Sequence, residues 1–183
     1  ERPIILYAGK LQARKHPTTL VEAFQQLDSE KLGRPYLLFV GDGEQKPQIE
    51  AASGNDPDIR YAGFRNQTEL PALYRLADVF VLASSREPWG LAINEAMNCQ
   101  CAIVASDECG CVADLVTDAC GRIVPAGKAG PLAVALGEIL SRAKDLERMK
   151  QAAADRVEAW DFEAGLTGLR NALRSVCPEP RKA

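Results

Sequence analysis

Short apolar runs alternate with amphipathic stretches along the whole chain. Residues 4–8, 36–40, 59–62, 79–83, 102–105 and 122–124 read as strands. Several are almost continuously apolar, the pattern of parallel strands covered on both faces. Between them lie helical runs. Pro17 stands near a helix start, followed by Leu20, Ala23, Phe24 and Leu27 at helical spacing. Asn66 or Thr68 caps a run carrying Leu70, Leu73, Tyr74 and Leu76, and Gly90 opens a helix over 91–97. Two C-terminal helices are expected over 132–146 and 157–176, with Trp160-Asp161-Phe162 at a break, and 178–183 reads as a frayed tail.

Six strands alternating with helices predict an α/β fold, a doubly wound Rossmann-like parallel sheet with right-handed crossovers. With no internal repeat, low-complexity stretch or interdomain linker, residues 1–177 read as one domain. In such sheets a ligand lies beyond the carboxyl ends of the strands, so the loops that follow strands are where chemistry is sought.

Composition narrows the function classes. The 183 residues carry 22 Lys+Arg against 25 Asp+Glu, a net charge of −3, and are 46% hydrophobic and 26% charged. That is a globular composition, and a domain of this size buries roughly 70% of its unfolded surface. With no basic excess or cationic stripe, nucleic acid is not an expected partner. The run at 79–83 is strand-sized, well short of the roughly 18 apolar residues of a membrane span. Residues 1–3 lead directly into a strand rather than a signal peptide, as if the chain were cut from something longer. The six cysteines include two C-x-C pairs, Cys99/Cys101 and Cys109/Cys111. A strand between the pairs would separate Cys101 from Cys109 by up to about 26 Å at roughly 3.3 Å per residue, too far for one zinc site without a hairpin. Buried small hydrophobes in a reducing cytoplasm are the expectation.

Four loops hold candidate chemistry. Gly9-Lys10-Leu11-Gln12-Ala13-Arg14-Lys15-His16 places three cations between a strand and a helix, which suits an anion site or, equally, a solvated basic loop. His16, the only histidine, precedes Pro17 and reads as a loop residue rather than a catalytic base. Gly41-Asp42-Gly43 has Lys46 where a dinucleotide fingerprint needs its third glycine, and reads as a turn permitting positive φ. Asp56-Pro57-Asp58 has a D-x-D spelling but reads as a turn into the third strand, so no metal site is expected. Between Glu87 and Glu95 lie seven residues across a loop-to-helix junction, with Gly90 letting the amides of Trp89, Gly90 and Leu91 point at one anion. This arrangement suits a ligand with phosphates in the middle and hydroxyls at both ends, as in a nucleotide sugar. Alternatively, Glu87 complements the helix dipole, Glu95 is an exposed helical acid and Trp89 packs locally.

The E-x7-E segment, with Gly90-Leu91 after its first Glu, resembles the donor-binding C-terminal domain of retaining GT-B glycosyltransferases of the family-4, group 1 type. The resemblance keeps its order over nearly the whole chain: Gly9-Lys10-Leu11 through Arg14-Lys15, then Phe39-Val40-Gly41-Asp42-Gly43. Gly63-Phe64-Arg65 follow, ahead of Leu70, Tyr74, Ala77 and Asp78, and Gly121-Arg122-Ile123-Val124-Pro125 closes the set. It implies that Lys10 and Lys15, in the loop opened by Gly9, neutralise the donor diphosphate with the amides of Trp89, Gly90 and Leu91. Glu87 would bind donor-sugar hydroxyls, Glu95 the ribose hydroxyls, and Phe64 and Arg65 would border the nucleobase. Lys10, Lys15 and Glu87 are then the catalytic candidates. It further implies a nucleoside-diphosphate sugar as substrate, no required cofactor or metal, and an N-terminal acceptor-binding domain that this chain lacks. Any membrane contact of a cytoplasmic full-length enzyme would come through that half. A sugar-nucleotide epimerase or a non-catalytic module of the same fold are the alternatives. The chain departs from the family pattern in three places: Lys10 stands where Arg is frequent, Asn98-Cys99-Gln100-Cys101 lacks the usual turn glycine, and Cys109-Gly110-Cys111 keeps one glycine of two.

Overall fold

In the computed structural model, which describes residues 2–177, the strands are β1 (Ile4–Ala8), β2 (Tyr36–Val40), β3 (Ile59–Gly63), β4 (Val79–Leu82), β5 (Ala102–Ser106) and β6 (Gly121–Val124). They form one sheet in the order β3-β2-β1-β4-β5-β6, with every neighbouring pair parallel. The chain starts at the centre, winds to one edge, returns and winds to the other, so the switch in direction falls between β1 and β4. The tail expected at 178–183 lies outside the described residues.

The helices are α1 (Pro17–Gln25), α2 (Lys46–Ser53), α3 (Leu70–Leu76), α4 (Leu91–Asn98), α5 (Val112–Leu115), α6 (Ala129–Leu140), α7 (Ala143–Glu158) and α8 (Phe162–Val176). Successive strand residues point to opposite faces, and the two cores divide accordingly. Ile5, Tyr7, Val79 and Val81 pack with Leu20, Phe24, Ile49 and Leu136 of α1, α2 and α6. Leu6, Ala8, Phe80 and Leu82 pack with Tyr74, Ile93, Met97, Leu115 and Val157 of α3, α4, α5 and α7. This is why β4 and β5 are apolar at almost every position. Each fully buried side chain of Leu or Phe size contributes roughly 1.5–3 kcal/mol. At the opposite end of the sheet from the strand-following loops, Asp78 accepts from the Ile4 amide (2.9 Å) and from Lys150 Nζ (2.9 Å), tying α7 to β1.

The strands agree with the sequence pattern to within a residue at each end. The C-terminal helices do not. The expected 132–146 helix is interrupted at Ser141 and Arg142, where Arg142 is extended (φ −140°, ψ 108°) and Ser141 Oγ donates to the Glu138 carbonyl. The residues beyond form α7, and Val157 belongs to its last turn rather than to the start of the final helix. Leu140 and Leu146 both reach the core, so the apolar pattern runs through a corner that only the backbone shows. The break at Trp160-Asp161 is present: Asp161 Oδ1 caps α8 by accepting from the Ala164 amide (2.7 Å). Helices α2 and α5 give little periodic signal in the sequence: α2 has one large apolar residue, Ile49, and α5 is four residues long. Of the two proposed caps before α3, Asn66 is the one used: it accepts from the Thr68 and Glu69 amides, while Glu69 accepts from the Asn66 amide, a reciprocal capping box. The turn after α4 still requires positive φ without a glycine, and Gln100 adopts it (φ 62°).

Helix α8 contains no buried residue, and Phe162, Leu169, Leu173 and Val176 are all exposed. A chain ending at Trp160 is therefore expected to unfold within about 2 °C of the longer one in a thermal melt, since a 1 kcal/mol loss would shift a domain this size by roughly 2–4 °C. A larger fall would show that α8 supports the core.

Candidate functional site

The loops after β1 and β2 are joined main chain to main chain. Gly9 N donates to the Val40 carbonyl and Leu11 N to the Asp42 carbonyl, both at 2.9 Å. A Cβ at Gly41 would lie 2.0 Å from the Gly9 oxygen, and one at Gly43 2.4 Å from the Leu11 oxygen. Both glycines also have positive φ (129° and 158°), so the G-D-G turn is required by close approach as well as by conformation. From below, the buried Tyr7 hydroxyl donates to the Lys10 carbonyl (2.9 Å), and burial raises its pKa, keeping it a donor. Gly9, Lys10, Gly41, Gly43, Phe64 and Arg65 line a cleft of about 1120 Å³ that continues along Asn66 to Thr68. Phe64 stands 74% exposed there, an aromatic face open to a planar ligand.

Lys15 and Glu87 do not line that cleft; they pair with each other beside it. A tight turn over Ala13–Lys15 follows the β1 loop, and Lys15 Nζ reaches Glu87 Oε2 at 3.3 Å. The same ammonium hangs over Gly9, where a Cβ would be 3.4 Å from Nζ. Arg14 Nη1 is 3.6 Å from the same carboxylate oxygen and donates to the Arg86 carbonyl (2.6 Å), while Ser85 N donates to the Arg14 carbonyl (2.8 Å). Glu87 Oε2 is buried yet makes no hydrogen bond, because neither cation reaches hydrogen-bonding geometry. An acceptor in that state has unused capacity.

The segment carrying Glu87 is held by main-chain pairing with the loop after β5. Gly110 N donates to the Glu87 carbonyl (2.9 Å) and Cys111 N to the Trp89 carbonyl (3.0 Å). The single glycine retained there, Gly110, is the one that matters: a Cβ would be 2.1 Å from the Pro88 oxygen. Gly90 (φ 104°) begins α4, and no side chain caps that end, so its leading amides remain open to an anion. Leu91 is exposed beside them. Trp89 Nε1 donates to Asn94 Oδ1 (3.0 Å), and its ring lies 5.8 Å from that of Trp160, at the α7–α8 joint. Glu95 stands one turn further along α4, in an adjoining cavity that shares Gln67 and Leu70 with the main cleft, and accepts from the Tyr74 hydroxyl (2.9 Å).

The remaining candidates fall elsewhere. His16 has left-handed backbone at the start of α1, its ring packed over Gly127. Asp56 and Asp58 precede β3, at the end of the sheet away from the cleft, where Asp58 pairs with Arg2. Among the described cysteines, Cys101, Cys109, Cys111 and Cys120 are buried, Cys99 is half-buried and Cys177 is exposed, so the expectation of buried hydrophobes fails at Cys177. Burial pushes the Cys111 thiol up to about 12, so it is not a thiolate nucleophile beside the loop. Arg14, Tyr74 and Trp160 are the contributors that sequence reasoning passed over as site residues. Arg14 had a signal in the basic loop and Tyr74 in the segment after Gly63-Phe64-Arg65, but only the fold brings Tyr74 to Glu95 and Trp160 to Trp89.

The family model for glycosyl transferases group 1 matches residues 1–156. The chain is 31% identical over 159 residues to the alpha-D-kanosaminyltransferase of Streptomyces kanamyceticus, which covers 84% of this chain and 40% of that protein. The chain therefore spans well under two thirds of that relative's length. Sucrose-phosphate synthase from Thermosynechococcus elongatus superposes with a TM-score of 0.82 at 26% identity, over 96% of this chain and 46% of that one. The Anabaena protein HepE, solved with UDP and glucose, shares the fold with a TM-score of 0.77 at 19% identity, over 96% of this chain and 48% of that one.

The join between the β1 and β2 loops gives a direct test. Gly41→Ala must displace the Gly9 carbonyl and is expected to lower the melting temperature by several degrees, corresponding to more than about 2 kcal/mol. Gly165→Ala, with nothing within 4 Å of its Cβ, serves as the control and should leave the melt unchanged or raise it. Equal melting of the two variants would refute the close approach.

Proposed function

The chain belongs to the glycosyl transferases group 1 family, and on that premise we propose that residues 1–177 are the donor half of a retaining GT-B glycosyltransferase. The full-length enzyme moves a sugar from a nucleoside-diphosphate sugar to an acceptor hydroxyl. The observation that carries this reading is the convergence, at the carboxyl end of the sheet, of Lys10, the Lys15–Glu87 pair and the uncapped start of α4. Cations and oriented amides there suit a diphosphate; the incompletely bonded Glu87 suits sugar hydroxyls. The cleft bordered by Phe64 and Arg65 suits the base, and Glu95 the ribose. HepE, a protein of this fold, was solved with UDP and glucose, which fits the same division of labour.

In this reading the chemistry is leaving-group stabilisation. Negative charge grows on the diphosphate as the glycosidic C–O bond breaks, and fixed cations and amides hold that charge better than they hold the ground state. Lys15 would exchange part of its contact with Glu87 for a phosphate oxygen, which its long 3.3 Å pairing makes inexpensive. Glu87, flanked by two cations, orients hydroxyls rather than serving as a nucleophile, and no metal is called on. Removing one such donor typically costs about 3–4 kcal/mol in the transition state. We further propose that the acceptor site belongs to the part of the relatives' length that this chain does not span, and that the exposed stripe of α8 lies against it.

Calorimetric titration with UDP, GDP and ADP and their sugar conjugates, without added metal, tests the reading. One nucleotide is expected to bind, and Lys15→Ala to weaken it at least tenfold, or about 1.4 kcal/mol. If no nucleoside diphosphate binds at millimolar concentration, either to this chain or to it joined with the remainder of its protein, the donor-site reading is wrong.

A further inference from the structure

Glu95 presents a physical problem. It is an exposed glutamate on the surface of α4, and an unrestrained side chain of that length samples many rotamers. A carboxylate that must meet ligand hydroxyls at a defined place loses affinity for each torsion that binding has to freeze. The structure supplies a restraint from the neighbouring helix. The Tyr74 hydroxyl donates to Glu95 Oε2 at 2.9 Å.

Tyr74 is itself held firmly. The residue is 2% exposed, its ring lies edge-on to Phe80 (5.6 Å between centroids, 71°), and its carbonyl accepts from Cys101 Sγ at 3.1 Å. Its hydroxyl emerges beside Gln67, Leu70, Pro71 and Asn98, in the small cavity that opens onto the main cleft through Gln67 and Leu70. Burial and the adjacent Glu95 charge both raise its pKa, so the hydroxyl keeps its proton and donates to the carboxylate. A single donor engages one carboxylate oxygen and leaves the other free, the arrangement needed for a second hydroxylated partner.

We propose that Tyr74 is a positioning residue that aims the Glu95 carboxylate at the vicinal hydroxyls of a bound nucleotide's ribose; this rests on the donor-site reading above. Its effect passes through Glu95, so it is coupled to the ribose hydroxyls and to no other part of the ligand. Tyr74→Phe retains the ring that packs on Phe80 and removes only the hydroxyl, so the core is left intact.

The test compares UDP with 2′,3′-dideoxy-UDP, or the corresponding GDP or ADP pair if the chain selects that base, by calorimetry on wild type, Tyr74→Phe, Glu95→Ala and the double variant. Tyr74→Phe is expected to weaken the ribonucleotide about three- to tenfold, the net worth of an ordinary hydrogen bond, because the lost bond acts on the ligand only through Glu95. It should leave the dideoxy nucleotide unchanged, and add nothing once Glu95 is Ala. Equal weakening of both nucleotides would assign Tyr74 a general structural role and overturn the proposal. Discrimination by Glu95→Ala without any by Tyr74→Phe would overturn it too, while leaving the donor site standing. If Glu95→Ala fails to distinguish the two nucleotides, or neither binds, the ribose role of Glu95 falls and the proposal falls with it.

Discussion

Because every strand runs in the same direction, the loops after β1, β2, β3 and β4 all leave the sheet at the carboxyl ends of its strands. That end of the sheet is where strand hydrogen bonding stops and main-chain groups must find other partners. The chain meets this need by pairing loop with loop: Gly9 and Leu11 bond to Val40 and Asp42, and Glu87 and Trp89 bond to Gly110 and Cys111. These joins require Gly41, Gly43 and Gly110, since a methyl group at any of them would sit within 2.4 Å of a carbonyl oxygen. The candidate site is thus a surface of packed backbone, with side chains added to a rim already fixed in position.

On that rim charge is arranged asymmetrically. Lys15 and Arg14 both face Glu87, but at 3.3 Å and 3.6 Å, outside hydrogen-bonding geometry. A structural ion pair of this burial would be expected to close up, because leaving a buried acceptor unsatisfied is costly. The incomplete pairing leaves an acceptor with unused capacity next to an uncapped helix start and an open cleft. Surface pairs such as Lys31–Asp28 and Arg148–Asp145 carry no such meaning, being solvated and local along one stretch of chain.

Trp160 connects this rim to the end of the described chain. It follows α7, its ring lies against Trp89, and α8 begins two residues later without burying any side chain. The Glu87–Trp89 segment is therefore braced by the residue from which α8 departs. A tilted ring pair at 5.8 Å contributes about 0.5–1.5 kcal/mol beyond the area it buries, so the contact is a modest brace.

Period and punctuation in the sequence determined the six strands, their parallel pairing and the loops where function should be sought. Continuous apolar runs such as 79–83 have no stable alternative to burial on both faces. The Gly9 to Lys15 loop and the Glu87 to Glu95 segment were legible for the same reason: cations, carboxylates and glycines lie close together in the chain, where spacing alone brings them near one another. The corner at Ser141–Arg142 was not legible, because apolar residues continue on both sides and only the backbone direction changes. Nor were the roles of Gly41 and Gly110, whose clashes are with other loops. The Tyr74–Glu95 hydrogen bond and the Trp89–Trp160 contact likewise join residues far apart in sequence, so only the packing of α3, α4 and the α7–α8 joint around the sheet could decide them.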